Sequence, residues 1–207
     1  MTKQLRILIA DDHAITRFGI SSLLETEDGF SIVAQAEDGE SAIRETERTH
    51  PDVVIMDLMM PKTDGLEATR RILDTLPDTK ILILTTFGTA DSIAHALEAG
   101  ATGAIMKNAD TTSFPRIIRS IAAGQRIIDP EIRKMLDRHP PIPALTGRQQ
   151  LILESLARGL SNKEIGTQLG ITANSVKDHI NTIFSKIGAA TRAEAVSIAS
   201  RRHLLKM

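Results

Sequence analysis

Apolar positions along the first 122 residues follow two alternating periods. One set consists of short, continuously apolar or β-branched runs, at 5–10, 31–34, 53–56, 80–84 and 103–106. Such runs are typical of strands that are buried on both faces of a sheet. The other set has the spacing of amphipathic helices, over about 14–25, 39–49, 64–75, 89–99 and 111–122. Strands that alternate with helices predict right-handed crossovers and a five-stranded parallel α/β domain, which we place at residues 1–123.

The alternation lapses after Gly124. The Pro-rich run at 139–143 cannot continue a helix, because proline lacks the backbone donor and restricts the residue before it. We therefore predict a linker over 124–143 that contains a short helix at 130–137. The residues beyond it show four helical segments and no strand pattern, so a smaller all-α domain is expected over 144–207.

The predicted helices of the second domain begin with capping residues. Three of them match the capping box, in which two side chains satisfy exposed N–H groups reciprocally. The pairs are Thr146 with Gln149, Ser161 with Glu164, and Thr191 with Glu194. Gly159 and Gly170 lie where helix ends require a positive φ.

Charge divides the chain in the same way as the hydrophobic pattern. The whole chain has a net charge of −1, which on its own argues against a nucleic-acid-binding protein. Residues 1–129 carry 13 basic and 20 acidic side chains, whereas residues 130–207 carry 12 basic and 6 acidic ones. The net charges of −7 and +6 indicate two modules with different partners.

Composition excludes several other classes of protein. Without cysteine there is no disulfide framework, thiolate metal site or cysteine nucleophile. No apolar run approaches the roughly 18–20 residues that span a bilayer, and the first residues lead directly into a strand rather than a signal peptide. The chain has no Trp or Tyr and only five Phe, so aromatic stacking platforms for single-stranded nucleic acids are not expected. These features favour a cytoplasmic protein without a membrane partner.

Polar side chains follow the predicted strands of the first domain, at the edge where parallel sheets place their functional crevice. They are Asp11, Asp12, Asp57, Thr85 and Lys107. Crowded carboxylates require a cation, and Mg²⁺ prefers oxygen ligands. A lysine and a hydroxyl can stabilise a phosphoryl group, which a carboxylate can accept as a nucleophile. Each residue taken alone could instead cap a helix or solvate a loop.

These residues lie in motifs that resemble the receiver domain of two-component response regulators. The motifs are Ile9–His13, Val54–Pro61, Asp64-Gly65 and Thr85. The likeness covers about residues 3–122 and implies a flavodoxin-like (βα)5 fold. It makes Asp57 the phosphoacceptor.

The resemblance also implies the remaining roles. Asp12 and Asp57 would bind Mg²⁺ directly, together with the backbone carbonyl of Met59, and Asp11 would act largely through water. Thr85 and Lys107 would contact the phosphoryl group. His13 opens a helix beside the acidic residues and has no phosphorelay role in the family.

Two positions depart from the receiver pattern. Ala104 stands where family members often have a Tyr or Phe ring that moves with the switch threonine. Without that ring, the relay is expected to be weaker or to use other residues. Asn108 replaces a frequent proline after the lysine.

Residues 161–185 of the basic half have the pattern of a helix, a tight turn and a second helix. In the second helix an apolar stripe is formed by Val176, Ile180, Ile183, Phe184 and Ile187. The opposite face presents Asn174, Lys177, Asp178 and Asn181, which can contact base edges. Asn162, Lys163 and Lys186 are predicted phosphate contacts. A helical bundle with a solvated polar face would show much of the same pattern.

Further motifs resemble the LuxR-type DNA-binding domain over about residues 142–204. They are Leu145-Thr146-x-Arg148, Gly159–Ile165 and Val176-Lys177-x-His179. Gln149 replaces the family's usual Glu but can retain the capping role. Asp178 would repel phosphate, so it favours a specific base or partner contact. A receiver joined to this domain is the architecture of the NarL/FixJ class.

The resemblance predicts a DNA-binding transcriptional regulator, not an enzyme, that receives a phosphoryl group from a sensor histidine kinase and then dimerises. The helix from Thr191 to about His203 is a candidate dimer contact, although Ala195, Val196 and Ala199 could equally belong to the core. One alternative is a phosphorylation-independent DNA-binding protein. Another is a phosphatase that uses Asp57, but such enzymes commonly place an acid two positions later, where this chain has Met59.

Overall fold

The computed structural model describes residues 4–86, 89–108, 111–138, 142–143, 145–202 and 204–205. The chain divides into two compact units, residues 1–141 and residues 142–207. None of the helices in the described ranges is both long enough and apolar enough to cross a bilayer.

The first unit is a parallel sheet with helices. Its strands are β1 (Leu5–Ala10), β2 (Phe30–Ala36), β3 (Val53–Met56), β4 (Lys80–Thr85), β5 (Gly103–Met106) and β6 (Ile127–Ile128). Its helices are α1 (Ala14–Glu25), α2 (Gly39–Thr49), α3 (Gly65–Thr75), α4 (Ala90–Glu98), α5 (Phe114–Ala122) and α6 (Pro130–Arg138), with a 3₁₀ turn at Thr111–Ser113. The strand order is 2-1-3-4-5-6, and each neighbouring pair is parallel. This confirms the predicted α/β class.

Side chains on the two faces of the sheet belong to two buried clusters. One cluster contains Leu8, Val54 and Ile83, and the other contains Ile7, Ile55 and Leu82. Because successive strand residues point to opposite faces, these neighbours enter different clusters. The continuously apolar strands therefore reflect burial on both sides.

The sixth strand is absent from the sequence-based prediction. Residues 127 and 128 pair with Gly103 and Ala104 of β5, and the Asp129 N–H donates to the Ala104 carbonyl at 2.9 Å. A two-residue strand is too short to show a period of its own. The prediction of a linker beginning at 124 therefore differs from the structure.

Helix α6 also belongs to the first unit. It confirms the short helix expected at 130–137, but Ile132 is fully buried in the same cluster as Ala104. Met135 and Leu136 pack against that cluster as well. Residues 124–138 of the predicted linker thus lie in the first unit, and residues 139–141 lie outside the described residues.

The second unit contains helices α7 (Gly147–Ala157), α8 (Asn162–Leu169), α9 (Ala173–Ile187) and α10 (Arg192–Arg201). Its buried cluster draws on all four helices, through residues such as Ile152, Ile165, Ile183 and Ala199. His203, predicted near the end of the last helix, lies outside the described residues. The all-α character expected for this half is confirmed.

Helix caps in the second unit largely match the prediction. The capping boxes that begin at Thr146 and Ser161 are complete. At the third, Thr191 accepts from the Glu194 N–H, but the Glu194 carboxylate accepts from the Ala190 N–H at 2.8 Å. The reciprocal bond therefore falls one residue earlier than predicted.

Candidate functional site

Three of the predicted side chains meet at the carboxyl ends of the strands. Asp11 follows β1, Asp57 follows β3 and Lys107 follows β5. The Lys107 Nζ lies 2.7 Å from the Asp11 Oδ2 and 2.7 Å from the Asp57 Oδ2. Asp11 and Asp57 are almost fully buried. One ammonium group therefore bridges two buried carboxylates.

The backbone around Asp57 fixes the position of that carboxylate. The Asp57 N–H donates to the Ala10 carbonyl at 2.8 Å, which continues the β1–β3 pairing beyond the strands. The Gly65 N–H donates to the Leu58 carbonyl at 3.0 Å, and a Cβ at Gly65 would overlap the Asp57 carbonyl oxygen. Glycine is thus required where α3 begins close to the acidic residues. Sequence analysis included this glycine in a motif without identifying the close approach.

The first acidic pair is held by a turn at the end of β1. The Asp11 N–H donates to the Ala36 carbonyl at 3.1 Å, and the Asp11 Oδ1 accepts from the His13 N–H at 2.8 Å. Asp12 is exposed, and its Oδ1 lies 2.7 Å from the His13 Nδ1. One carboxylate of the pair is therefore buried and the other faces solvent.

Burial and charge shift the protonation equilibria of this cluster. Burial raises the pKa of Asp57 above its ordinary value, although the Lys107 ammonium opposes the shift. Burial opposes the charge of Lys107, but its hydrogen bonds and ion pairs with Asp11 and Asp57 outweigh burial and raise its pKa. Lys107 is therefore held in its charged form beside a carboxylate that is costly to ionise.

The donor set fits a divalent cation of the Mg²⁺ type. Asp11, Asp12, His13 and Asp57 each place one ligand atom within 4.8 Å of the others. Three carboxylates meet here, two of which contact the Lys107 ammonium, and carboxylate oxygens are the donors that hard cations prefer. The Met59 N–H donates to the Asp57 Oδ1 at 3.3 Å. The Met59 carbonyl remains a predicted ligand.

Thr85 ends β4 and is fully buried. Its Oγ1 has no hydrogen-bond partner among the described residues. A buried hydroxyl left in this state costs about 1–3 kcal/mol. The Thr85 carbonyl accepts from the Lys107 N–H at 2.9 Å, which connects the end of β4 to the end of β5. Thr85 thus offers an unused hydroxyl on the strand between those that present Asp57 and Lys107.

Ala104, which replaces the family's aromatic residue, is fully buried beside β6. Ile132 of α6 enters the same buried cluster. This part of β5 is therefore covered by residues 127–138, which sequence analysis assigned to the linker. Asn108 is exposed, and nothing in the structure explains its replacement of proline.

Helix α9 separates its apolar and polar faces as predicted. Val176, Ile180, Ile183 and Ile187 are buried, and Phe184 is partly buried. The opposite face exposes Asn174, Lys177, Asp178 and Asn181. These four side chains form the polar face of α9.

The turn between α8 and α9 is tightly built. Gly170 ends α8 with φ +67°, and Thr172 caps α9 by accepting from the Ser175 N–H at 3.1 Å. A Cβ at Gly166 would meet the Ile171 carbonyl oxygen at 2.7 Å. The sequence pattern identified the break and the cap, but the close approach at Gly166 depends on the turn's three-dimensional path.

The three predicted phosphate contacts differ in their surroundings. Lys163 is exposed and Asn162 is partly exposed at the start of α8. The Lys186 Nζ lies 2.9 Å from the Gln149 Oε1, the atom that also accepts from the Thr146 N–H. Lys186 therefore contributes to the capping of α7, a contact that sequence analysis missed because the two residues are distant in the chain.

Two matches with known families correspond to the two units. The family described as "Response regulator receiver domain" matches residues 7–119, and "Bacterial regulatory proteins, luxR family" matches residues 143–199. The chain belongs to the response regulators that combine a receiver domain with a LuxR-type DNA-binding domain. It is a DNA-binding transcriptional regulator of the two-component type rather than an enzyme.

Individual relatives agree with this assignment. The chain is 34% identical to the response regulator protein VraR of Staphylococcus aureus, covering 98% of this chain and 99% of the relative. It is 35% identical to the response regulator ChrA of a haem-sensing two-component system, with a TM-score of 0.58, covering 98% and 99% of the two chains. A LuxR-family response regulator from Aurantimonas sp. is 37% identical, with a TM-score of 0.62, over 66% of this chain and 97% of that one.

Proposed function

We propose that Asp57 accepts a phosphoryl group from a sensor histidine kinase and that this modification controls DNA binding by residues 142–207. The observation that carries the proposal is the Lys107 ammonium bridging the Asp11 and Asp57 carboxylates at 2.7 Å. It is supported by the buried Thr85 hydroxyl on the intervening strand, for which the described part of the chain offers no hydrogen-bond partner. Both partners, the kinase and DNA, are accessible in the cytoplasm, where we place the protein.

The residues have distinct parts in phosphoryl transfer. An Asp57 carboxylate oxygen attacks phosphorus; the O–P bond forms as the P–N bond of the kinase's phosphohistidine breaks, and the histidine nitrogen retains the electron pair. Lys107 stabilises charge on the phosphoryl oxygens, and Thr85 donates its hydroxyl to one of them. Mg²⁺, held by Asp11, Asp12, Asp57 and the Met59 carbonyl, would supply further charge neutralisation.

The second unit is proposed to read double-stranded DNA with the polar face of α9. Asn174, Lys177, Asp178 and Asn181 would face base edges in the major groove. Asn162, Lys163 and Lys186 would contact phosphates, and of these Lys186 would have to share its ammonium with Gln149. A structure of the response regulator RcsB in complex with DNA has the same fold, at 22% identity and a TM-score of 0.66.

Phosphorylation is proposed to favour a homodimer. A structure of RcsB contains two dimers bound to two parallel DNAs. In this chain, Ala195 and Ala199 of α10 are fully buried in the core of the second unit. A dimer contact on this helix must therefore use other residues, such as the partly exposed Val196.

Mass spectrometry after treatment with acetyl phosphate and Mg²⁺ tests the phosphoacceptor. The proposal predicts one added phosphoryl group on the wild-type chain, none on Asp57→Asn, and one on the control Asp78→Asn, which removes an exposed carboxylate elsewhere in the unit. A phosphoryl group retained by Asp57→Asn would overturn the assignment. Sustained turnover of a phosphomonoester would instead favour the phosphatase alternative.

Regulation that does not depend on phosphorylation is the second candidate, because Ala104 removes the usual aromatic relay. Sizing and DNA footprinting distinguish the two candidates. If Asp57→Asn and phosphorylated wild-type protein dimerise and bind DNA equally well, the second candidate is correct.

A further inference from the structure

His13 lies within the acidic cluster. Its Nδ1 is 2.7 Å from the Asp12 Oδ1 and 3.3 Å from the Asp11 Oδ1. It is one of the four residues whose ligand atoms all fall within 4.8 Å of one another. The cluster therefore contains an imidazole nitrogen besides its three carboxylates.

The local backbone directs this histidine toward the carboxylates. The Asp11 Oδ1 accepts from the His13 N–H at 2.8 Å, so the chain turns immediately after β1. His13 occupies the N-cap position of α1 with extended dihedral angles of φ −89° and ψ 108°. Both the main chain and the ring of His13 are therefore engaged with the acidic pair.

His13 does not perform the usual task of an N-cap residue. Its side chain makes no capping bond to α1. In contrast, Asp38, Asp64 and Thr89 accept from the first-turn N–H groups of α2, α3 and α4. Serine, threonine, aspartate and asparagine are preferred at this position for that reason. The contacts that the His13 side chain does make are with the Asp11 and Asp12 carboxylates.

We propose that the His13 Nδ1 is a ligand of the cation held by Asp11, Asp12 and Asp57, and that it raises the affinity of the site for Mn²⁺ relative to Mg²⁺. The inference rests on the cation site of the proposed function. Mn²⁺ shares the preference of Mg²⁺ for oxygen ligands, but as a first-row transition ion it also accepts an imidazole nitrogen, whereas Mg²⁺ demands near-ideal octahedral coordination and retains several waters. The nitrogen would therefore add affinity for Mn²⁺ and little for Mg²⁺.

Coordination would use the same nitrogen that now contacts Asp12. The His13 Nδ1 lies 2.7 Å from the Asp12 Oδ1, so both atoms lie close enough to face one cation.

Pulsed electron paramagnetic resonance of bound Mn²⁺ tests this assignment directly. Full-length protein labelled with ¹⁵N-histidine is expected to show a ¹⁵N coupling from a directly coordinated nitrogen, and His13→Asn is expected to lose it. Asparagine is a good N-cap residue, so α1 is retained in the variant. The matched control is His50→Asn, which removes an exposed imidazole from a left-handed position that asparagine tolerates.

Metal titration supplies the second readout. Mn²⁺ affinity should fall about tenfold in His13→Asn, a loss at the lower end of that seen when supporting groups of metal sites are removed. Mg²⁺ affinity should stay nearly unchanged, and His50→Asn should match the wild type with both ions. Circular dichroism checks that each variant is folded.

The possible outcomes distinguish failure of the His13 assignment from failure of the proposed cation site. Mn²⁺ bound without nitrogen coupling, and with equal affinity in His13→Asn, would overturn the role of His13 and leave the cation site intact; His13 would then be only an ion-pair partner of Asp12. If the wild-type protein bound neither Mn²⁺ nor Mg²⁺, both this inference and the cation site would fail.

Discussion

At the scale of single residues, Thr85 is where we propose that the resting and the phosphorylated protein differ. Its hydroxyl is buried and has no hydrogen-bond partner among the described residues, whereas Thr69 is equally buried and donates to the Gly65 carbonyl at 2.7 Å. The two threonines thus differ in hydrogen bonding and not in exposure. That difference makes them a matched pair for measuring what an unpartnered hydroxyl costs.

Thr85→Val should leave the unmodified protein unchanged or more stable by about 1 kcal/mol, because it removes a buried polar group without breaking a bond. Thr69→Val should lower the free energy of unfolding by about 1 kcal/mol, because a hydrogen bond is lost. Urea unfolding measures both. With beryllofluoride bound, Thr85→Val should lose stabilisation relative to the wild type; equal stabilisation would remove Thr85 from phosphoryl binding.

Ionisation of Asp57 and ionisation of Asp38 have opposite effects on the stability of the fold as the pH changes. Burial raises the pKa of Asp57, so its ionisation destabilises the fold as pH rises. Hydrogen bonds from Lys62 and Ser41 lower the pKa of Asp38, so its ionisation stabilises the fold, and that stability is lost as pH falls. At pH 7 without divalent cations, Asp57→Asn should therefore raise the urea midpoint and Asp38→Asn should lower it.

Lowering the pH should reduce both shifts in urea midpoint. The Asp57→Asn gain should disappear as the pH falls below the ordinary carboxyl pKa of 3.8, where the wild-type residue is protonated in the folded and unfolded states. The Asp38→Asn loss should decline over the acid range below that value. Asparagine can still cap α2, so the comparison isolates charge. Shifts of the same sign at pH 7 would contradict this account.

At the scale of elements, β6 and α6 extend the receiver beyond the five strands expected from the sequence. Ile132 of α6 is fully buried in the core of this unit. Ile132→Ala should lower the free energy of unfolding by about 2–5 kcal/mol, since it leaves a cavity in the core. Lys134→Ala on the exposed side of α6 should change it by no more than about 0.5 kcal/mol. Equal, small effects in chemical unfolding would show that α6 is not part of the cooperative unit.

Helix α9 presents a similar contrast between two lysines. Exposed Lys177 lies on the polar face, whereas Lys186 donates to Gln149 within the second unit. Lys177→Ala should weaken specific DNA binding by about 1–3 kcal/mol if it reads a base. Lys186→Ala should lower the thermal stability of the second unit. Fluorescence anisotropy with specific and random duplexes, together with calorimetry, measures the two effects; a Lys177→Ala loss that is equal on both duplexes would assign Lys177 to phosphate contact.

The sequence was most informative where local chemistry or strand topology decides the structure. The predicted ends of β1, β3 and β5 bring Asp11, Asp57 and Lys107 together, because parallel strands share one functional edge. The cap at Thr172 and the turn at Gly170 were equally local. Such features are encoded within a few residues of each other.

Prediction was weakest where distant residues or the conformations of individual side chains decide the outcome. β6 has no period of its own and exists because β5 offers a free edge. The Lys186–Gln149 contact joins residues 37 positions apart. The capping box at Thr191 is incomplete because the Glu194 carboxylate accepts from the Ala190 N–H instead of the Thr191 N–H. The imidazole of His13 could be placed at a helix start from the sequence, but its approach to Asp12 could not.

At the scale of the whole molecule, the near-zero net charge is the sum of an acidic receiver half and a basic DNA-binding half. The central claim is that phosphoryl chemistry at Asp57 changes the DNA affinity of residues 142–207. Ligand binding can do this only by favouring one state of a pre-existing equilibrium. Asp57→Asn removes the proposed phosphoacceptor and leaves the sequence of the basic half unchanged, so it is the appropriate control.

DNA affinity measured at one fixed salt concentration, with and without beryllofluoride and Mg²⁺, tests this claim most directly. For the wild-type protein we predict an increase of about 5–150-fold, the usual range of coupling between two sites. Asp57→Asn should show no increase. An unchanged wild-type affinity, or an equal increase in Asp57→Asn, would contradict the account.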